Sequence, residues 1–397
     1  MATESLTSKR ILALDVLRGI TIAGMLLVNN PGSWETVYAP LLHADWNGLT
    51  PTDLVFPFFM FMMGISTYIS LRKYRFEMSG DTLRKIIRRT LIIFLLGLFI
   101  DWFNRFFHFL VAAPEEASLV ERLTGTMLAF DTLRIMGVLQ RLALCYCTVS
   151  LLALTVKHRC LPWIIAVLLS GYTVLLAFGN GFAMDETNIL SRFDMTIISA
   201  PHLYLYEGGI DPEGLLSTIP AIAHTLIGFL VGRMILKENG NSGNRQERLN
   251  NQFTSLLLLG VVLTFSGLLL SYGCPINKKV WSPTFVLTTC GLVSSLLGLL
   301  IWVIDVKGKR SWCPFFETFG VNPLFLYVFG SMLATIFRNP LFIWQGLPMG
   351  VTSWLQQVIL TPLLGSYCGS LVYALLFITF CWVVGYWLYR HKIYFKI

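Results

Sequence analysis

Long apolar segments alternate with short polar ones along the whole chain. A transmembrane helix needs roughly 20 consecutive apolar residues, and about ten segments approach that length. They are residues 11–29, 53–71, 87–110, 134–156, 161–178, 216–236, 252–271, 283–304, 315–336 and 366–389. The pattern therefore predicts an all-α fold in which residues 1–397 form one polytopic membrane domain, a bundle of about ten transmembrane helices.

Two segments depart from this simple pattern. Residues 340–362 are apolar but are interrupted by Pro and Gly, which predicts an interfacial or re-entrant piece. The segment 11–29 follows two basic residues, as the apolar region of a signal peptide would. It contains Asp15 and Arg18, however, and has no clear small-residue cleavage site. It is therefore predicted to be retained as the first span.

The composition agrees with a membrane protein. Hydrophobic residues make up 55% of the chain and charged residues 13%, whereas soluble domains carry about 25% charged residues. This is too little charge to cover a soluble globule, so a soluble enzyme and a disordered chain are excluded. The eight cysteines form no CxxC pair and no zinc-ligand pattern. The predicted topology leaves one disulfide open, between Cys274 and Cys368.

Loop charges predict the orientation. The net charge is +8, and most of the 30 Lys and Arg side chains fall in alternate loops. Because cytoplasmic loops carry an excess of Lys and Arg, both termini are predicted to be cytoplasmic. The loops 30–52, 111–133 and 179–215 then face the opposite side. Membrane topology accounts for the basic charge, so no nucleic acid is predicted as a partner.

Several polar side chains fall within predicted spans. Asp15 and Arg18 are three residues apart and share one helix face. An ionisable group inside a membrane costs about 2.5–3.5 kcal/mol, so these two should face the bundle or a wet cavity. They form either an ion pair that locks the bundle or the polar wall of a pocket. Arg141 and Asn322 leave the same choice between bundle contacts and ligand contacts. The sequence Asp-Pro-Glu-Gly at 211–214 predicts an ordinary helix start.

The loop after the first span concentrates polar and aromatic groups at a membrane boundary. It contains Asn29, Asn30, His43, Asp45, Trp46, Asn47 and Asp53. A histidine titrates near neutral pH and can abstract a proton, although it can equally be a plain surface residue. Thr50 or Thr52 is suited to cap the next helix, with Pro51 in its first turn. Nucleotide-binding, metalloprotease and nucleophile-elbow motifs do not occur, and no metal site is predicted.

These segments resemble the heparan-α-glucosaminide N-acetyltransferase family, including its bacterial relatives. The resemblance is carried by LDVLRGITIAGMLLVNNPG and LLHADWNGLTPTDLVFPFFMFMMG, and further by GVLQRLALCY (137–146), DPEGLLSTIPAIAHTLIG (211–228) and NKKVWSPTFVLTTCG (277–291). It implies transfer of acetyl from cytosolic acetyl-CoA to the amine of a glucosamine-type sugar across the bilayer. It also implies a homodimer, and a bacterial inner membrane with the active-site loop on the periplasmic side. The family's essential histidine matches His43, and its upstream asparagine matches Asn29.

The resemblance and the residues together give a set of expected roles. The predicted catalytic residues are His43, Asn29, Asp45 and Asp53; the predicted substrate-binding residues are Asn30, Trp46 and Asn47; the predicted cofactor-binding residues, for acetyl-CoA, are Asp15, Arg18, Arg141 and Asn322. His43 acts as a general base or carries the acetyl group, with Asp45 or Asp53 orienting it. Asn29 or Asn47 donates to the oxyanion. An O-acetyltransferase of envelope glycans and an amino-sugar transporter are the alternatives.

Overall fold

The computed structural model describes residues 11–112, 120, 130, 132–204, 209–241 and 244–395. Its longer helices are α1 Leu12–Asn29, α2 Val55–Arg72, α3 Gly80–Ala112, α4 Val138–Thr155, α5 Leu161–Phe178, α6 Ile189–Ile198, α7 Thr218–Asn241, α8 Arg245–Leu270, α9 Pro283–Leu300, α10 Cys313–Val321 and α11 Pro323–Arg338. Strands β1 Phe342–Trp344 and β2 Leu347–Met349 follow, then α12 Val351–Trp354, α13 Thr361–Leu364 and α14 Ser366–Arg390.

Eight helices in the described part of the chain are long and apolar enough to cross a membrane. A ninth span results if α10 and α11 are counted together, since only a short break separates them. These helices confirm an all-α polytopic membrane protein. The predicted span 87–110 lies within α3, which is not among the eight. The predicted loop 111–133 falls mostly outside the described residues.

Two predicted spans have different boundaries in the structure. The span 134–156 begins as a helix only at Val138, because Gly137 before it is fully extended. The span 315–336 is two helices that meet at 84°. The bend occurs at Pro323, which has no N–H to continue the helical hydrogen bonds of α10.

The segment 340–362 forms a small hairpin followed by short helical turns. Strands β1 and β2 pair antiparallel, with Ile343 opposite Pro348. The turn residues Gln345 and Gly346 both have positive φ, as a tight two-residue hairpin turn requires. A π-helical turn, Leu355–Leu360, then leads towards α14. The predicted interruption of helical structure in this segment is confirmed.

The disulfide that the sequence left open does not form in the structure, where Cys274 and Cys368 are free thiols. One further expectation is wrong. The Asp-Pro-Glu-Gly turn does not start a helix, since α7 begins at Thr218. The carboxylates of Asp211 and Glu213 instead accept hydrogen bonds from the guanidinium of Arg134, at 2.6 and 2.7 Å. An ion pair with a distant arginine thus replaces a local cap.

The core lies where α2 runs along α7, with α4 and α9 packed around this pair. Gly64 of α2 and Gly228 of α7 allow the two backbones to touch. A Cβ at Gly64 would overlap the carbonyl oxygen of Thr225, and a Cβ at Gly228 would overlap that of Phe61. Small residues of this kind are typical of close helix pairs in membranes.

We expect Gly228→Ala to lower the free energy of unfolding by about 1–3 kcal/mol, because the added methyl meets backbone that cannot move aside. The midpoint of thermal unfolding in detergent measures the effect. Gly171→Ala is the control, since a Cβ at that position on α5 meets nothing within 4 Å. Equal midpoints for the two variants would contradict the close packing of α2 on α7.

Candidate functional site

The polar loop between α1 and α2 ends in a tight turn that begins α2. The 3₁₀ turn Pro51–Leu54 leads directly into the helix, with Thr50 before it. Oδ2 of Asp53 accepts hydrogen bonds from the backbone N–H and the hydroxyl of Thr50, at 3.1 and 3.0 Å. The predicted cap at Thr50 is therefore present, and it fixes the position of the Asp53 carboxylate.

The same carboxylate holds the imidazole of His43. Nδ1 of His43 lies 2.7 Å from Oδ1 of Asp53, and the backbone N–H of Ala44 donates to Oδ2 at 3.1 Å. The Asp53 side chain is 1% exposed, whereas the His43 side chain is 48% exposed. Because a carboxylate only accepts, Nδ1 is the nitrogen that donates to Asp53, and in the neutral ring Nε2 is then the nitrogen with the free lone pair. The imidazole therefore presents a basic nitrogen at an open surface.

Asp53 and not Asp45 contacts the histidine. Asp45 is exposed, and its backbone carbonyl accepts a hydrogen bond from Nζ of Lys279. Of the two carboxylates predicted to orient His43, only Asp53 has the geometry for it.

A lysine from a distant loop completes this group. Nζ of Lys278 lies 3.0 Å from Nδ1 of His43, 3.5 Å from Nε2 and 3.5 Å from Oδ1 of Asp53. Burial lowers the pKa of Lys278, and the carboxylates of Asp53 and Glu213 partly offset this effect. Sequence reasoning did not identify Lys278 as a site residue. The only signal was its place in the NKKVW segment, which carries part of the family resemblance.

The loop that carries Lys278 is fastened to the His43 loop. Nδ2 of Asn277 donates to Oδ1 of Asn47 at 3.1 Å, and the N–H of Gly48 donates to the carbonyl of Ile276 at 2.8 Å. The indole of Trp46 donates to the carbonyl of Phe182 at 2.9 Å. Asn47 and Trp46 thus hold the loop in place, and their direct contact with a substrate stays a prediction.

The two asparagines at the end of α1 bind a different partner. Arg338 donates to the backbone carbonyl of Asn29 and, at 3.1 Å, to Oδ1 of Asn30. Asn30 is buried and donates to the carbonyl of Leu26 at 2.9 Å, which closes the helix. The side chain of Asn29 is exposed. None of the described hydrogen bonds joins either asparagine to His43.

A cavity of about 270 Å³ opens between α1, α2, α3, α4 and α11. It is lined by Arg18, Phe59, Met62, Met63, Ser66, Arg89, Ile93, Leu139, Leu142, Pro323 and Leu324. With a rise of 1.5 Å per residue, Phe59 and Ser66 lie roughly 9 and 20 Å along the chain direction of α2 from Asp53. The cavity therefore extends along α2 away from His43, towards the basic end of that helix.

Two guanidinium groups provide the charge in this mostly apolar cavity. Arg18 donates to Oδ1 of Asp15 at 2.9 Å and to Oγ of Ser66 at 3.0 Å. Arg89 lies over the ring of Tyr146 at 4.6 Å, and its buried Nε has no hydrogen-bond partner within the described residues. Asp15 does not line the cavity itself, but it accepts a hydrogen bond from Arg18, which does.

The other two predicted cofactor-binding residues bind elsewhere in the protein. Arg141 is fully buried; it donates to the carbonyl of Gly214 at 3.0 Å and lies over the ring of Trp281 at 5.0 Å. Asn322 donates to the carbonyl of Ile393 at 2.9 Å and accepts from the N–H of Phe395 at 3.0 Å. Neither residue lines the cavity, although the neighbour of Asn322, Pro323, does.

Comparison of the sequence with known proteins identifies a family for this chain. A family model described as "Heparan-alpha-glucosaminide N-acetyltransferase, catalytic" matches residues 10–265. The human heparan-alpha-glucosaminide N-acetyltransferase is 28% identical over 373 residues, which cover 80% of this chain and 52% of the human protein. The mouse protein of that name is 27% identical over 385 residues, covering 84% of this chain and 55% of its own length. The chain thus spans about half the length of these relatives. Because the family model matches more than half of its residues, the chain belongs to the heparan-alpha-glucosaminide N-acetyltransferase catalytic family.

Proposed function

We propose that the protein is a membrane acetyltransferase that moves an acetyl group from acetyl-CoA to the amine of a glucosamine-type sugar. The observation that carries the proposal is the His43–Asp53 pair, held at 2.7 Å at one end of α2. A cavity with two arginines continues along the same helix. An exposed base at one end of α2 and a charged cavity further along the same helix suit an acceptor and a donor that arrive from opposite directions.

The cavity has the chemistry that the donor needs. The phosphates of CoA favour guanidinium groups, which Arg18 and Arg89 supply. The uncharged arm of the donor favours apolar walls such as those formed by Phe59, Met62 and Leu139. The orphan Nε of Arg89 is suited to donate to such a ligand. Loop charges support entry of the donor from the cytoplasm and of the sugar from the periplasm of a bacterial inner membrane.

The reaction then requires one proton transfer at His43. The neutral amine attacks the thioester carbonyl carbon, and Nε2 takes the proton that the nitrogen loses. The C–S bond breaks, and the departing sulfur takes that proton from the imidazolium. General base catalysis of this kind contributes about 10²–10⁴ in rate. Asp53 supports it because it keeps the second ring nitrogen protonated and stabilises the imidazolium.

The purified protein tests the proposal with labelled acetyl-CoA and two sugars. We expect label on glucosamine and none on N-acetylglucosamine, whose amine is blocked. Label on the blocked sugar would favour the alternative O-acetyltransferase. Uptake of glucosamine into vesicles without acetyl-CoA, together with no transfer in solution, would favour a transporter.

The donor site gives a separate prediction. We expect Arg89→Gln to raise the KM for acetyl-CoA by roughly 10–100-fold, since a charge-assisted hydrogen bond contributes about 1.5–3 kcal/mol. The KM for glucosamine should stay within threefold. Arg88→Gln is the control, because Arg88 is exposed on the same helix and does not line the cavity. Equal KM values for both variants would exclude this cavity as the donor site.

A further inference from the structure

We propose that Lys278 is a further catalytic residue, whose ammonium group stabilises the oxyanion formed from the acetyl carbonyl. The inference rests on the proposed function, because it concerns the transition state of that transfer. It assigns the oxyanion to a lysine that lies 235 residues away from His43 in sequence. The described contact of Asn29 uses its backbone carbonyl and that of Asn47 uses its acceptor oxygen, and neither brings an amide donor to His43.

The position of the ammonium relative to the imidazole supports this role. The proton on Nδ1 points at Asp53, so Nε2 is the nitrogen that meets the attacking amine. Nζ of Lys278 lies beside the ring, 3.0 Å from Nδ1 and 3.5 Å from Nε2. An acetyl carbonyl whose attacking amine contacts Nε2 is therefore within reach of the same ammonium group. An ammonium has three donors and no acceptor, which suits an oxyanion.

Hydrogen bonds fix the backbone of the loop that carries Lys278. Oδ1 of Asn277 accepts from the N–H of Val280 at 3.0 Å, and the N–H of Asn277 donates to Ser282 at 3.0 Å. Trp281 is 1% exposed and has a positive φ of 52°. A bulky residue keeps such a backbone conformation only where its surroundings enforce it. A donor fixed in advance stabilises a transition state without reorganisation.

Charged groups of both signs surround the ammonium group of Lys278. Lys278 is 15% exposed and contacts His43 and the carboxylate of Asp53, while the charges of Glu213 and Arg141 act on it from further away. Burial lowers the pKa of Lys278, Arg141 lowers it further, and the two carboxylates raise it. The net direction is downward, so Lys278 loses its proton at a lower pH than an exposed lysine does. Because the charged form is the active one, activity should decline as the pH rises through this pKa.

The bonds, electrons and protons of this transfer balance without any further reactant. The C–N bond forms as the amine attacks, and the carbonyl π electrons move onto the oxygen beside Lys278. His43 takes one proton from the nitrogen. When the oxyanion collapses, the C–S bond breaks and the sulfur receives that proton. Lys278 keeps its own proton throughout, so it acts by charge and by hydrogen bonding.

Three variants test the role of Lys278 in the purified full-length protein. We expect Lys278→Gln to lower kcat about 10²–10³-fold, the typical loss of one oxyanion donor, with the KM for each substrate within threefold. Lys278→Arg should retain more activity and shift the alkaline decline of kcat to higher pH, because a guanidinium stays charged. Lys279→Gln is the matched control. It removes the same charge from the same loop, and the described hydrogen bond of its ammonium is to the carbonyl of Asp45.

The outcomes separate this inference from the proposed function. A wild-type protein that acetylates glucosamine and a Lys278→Gln variant with kcat within threefold would overturn only the role of Lys278. An equal loss of kcat in Lys279→Gln would overturn it too, since loop charge alone would then explain the effect. If Lys278→Gln does not fold, an unchanged alkaline limb in Lys278→Arg overturns it. A wild-type protein without acetyl transfer would overturn the function itself.

Discussion

Replacing His43 with alanine is expected to lower kcat for glucosamine acetylation by about 10²–10⁴-fold, the contribution typical of a positioned general base. His43 is the side chain that combines an open position with a buried, ionic partner, since its ring is 48% exposed and Asp53 is 1% exposed. The steady-state rate at saturating acetyl-CoA measures the loss. Binding of acetyl-CoA should persist, because the donor cavity lies further along α2 and does not include His43.

A second histidine provides the control for this experiment. His391 is exposed at the end of α14 and contacts the carbonyl of Trp387, far from the polar loop in sequence. We expect His391→Ala to keep kcat within twofold. A rate of His43→Ala close to that of the wild type would refute the assignment of the base.

Wild-type protein and His43→Ala together decide whether His43 carries the acetyl group as a covalent intermediate. If His43 carries the acetyl group, wild-type protein incubated with labelled acetyl-CoA but no sugar should retain label, and His43→Ala should not. If His43 only removes a proton, neither protein should retain label. Either result leaves Nε2 as the reacting nitrogen, as the nucleophile in the first case and as the base in the second.

Replacing Asp53 with asparagine is expected to lower kcat by about 10³–10⁴-fold, as happens where a buried carboxylate fixes the tautomer of a catalytic histidine. The amide group of asparagine can donate to Nδ1 of His43, which moves the ring proton to Nε2. The nitrogen that must accept a proton then already carries one. The KM for acetyl-CoA should change little, since Asp53 does not line the donor cavity.

Asp45→Asn is the comparison that separates the two carboxylates predicted from sequence. Its side chain is exposed and the Lys279 contact uses only its backbone, so its effect on kcat should be at least tenfold smaller than that of Asp53→Asn. The unfolding midpoint of each variant in detergent is measured alongside, because Asp53 also accepts hydrogen bonds from Thr50 and Ala44. An equal loss in both variants would mean that Asp53 has no special role in holding His43.

Much of the fold was predictable because a bilayer imposes a simple rule on the sequence. Apolar runs such as 161–178 and 283–304 coincide closely with α5 and with α9 plus its π-helical continuation. The rule fails where a polar side chain binds a partner that is far away in the sequence. Arg134 was placed at the start of a span, but its ion pairs with Asp211 and Glu213 hold it in an extended segment before α4.

The candidate site was predictable only in its local part. His43 and Asp53 are ten residues apart, and the cap at Thr50 that positions Asp53 is visible in the sequence. Lys278 reaches the same place from a loop between α8 and α9, and no local pattern links positions 235 residues apart. The roles expected for Arg141 and Asn322 rested on their places within predicted spans and, for Asn322, on the neighbouring Pro323. They stay predictions, because such a position does not tell which side of a helix faces a cavity.

The contacts of Asp53 tie the start of α2 to the orientation of the imidazole. One oxygen of this carboxylate closes the first turn of the helix through Thr50, and the other holds Nδ1 of His43. A chain that begins α2 at a different residue therefore leaves the base without its partner. Forming this turn therefore also places the carboxylate that His43 needs, and we expect a substitution that shifts the helix start to yield an inserted but inactive protein.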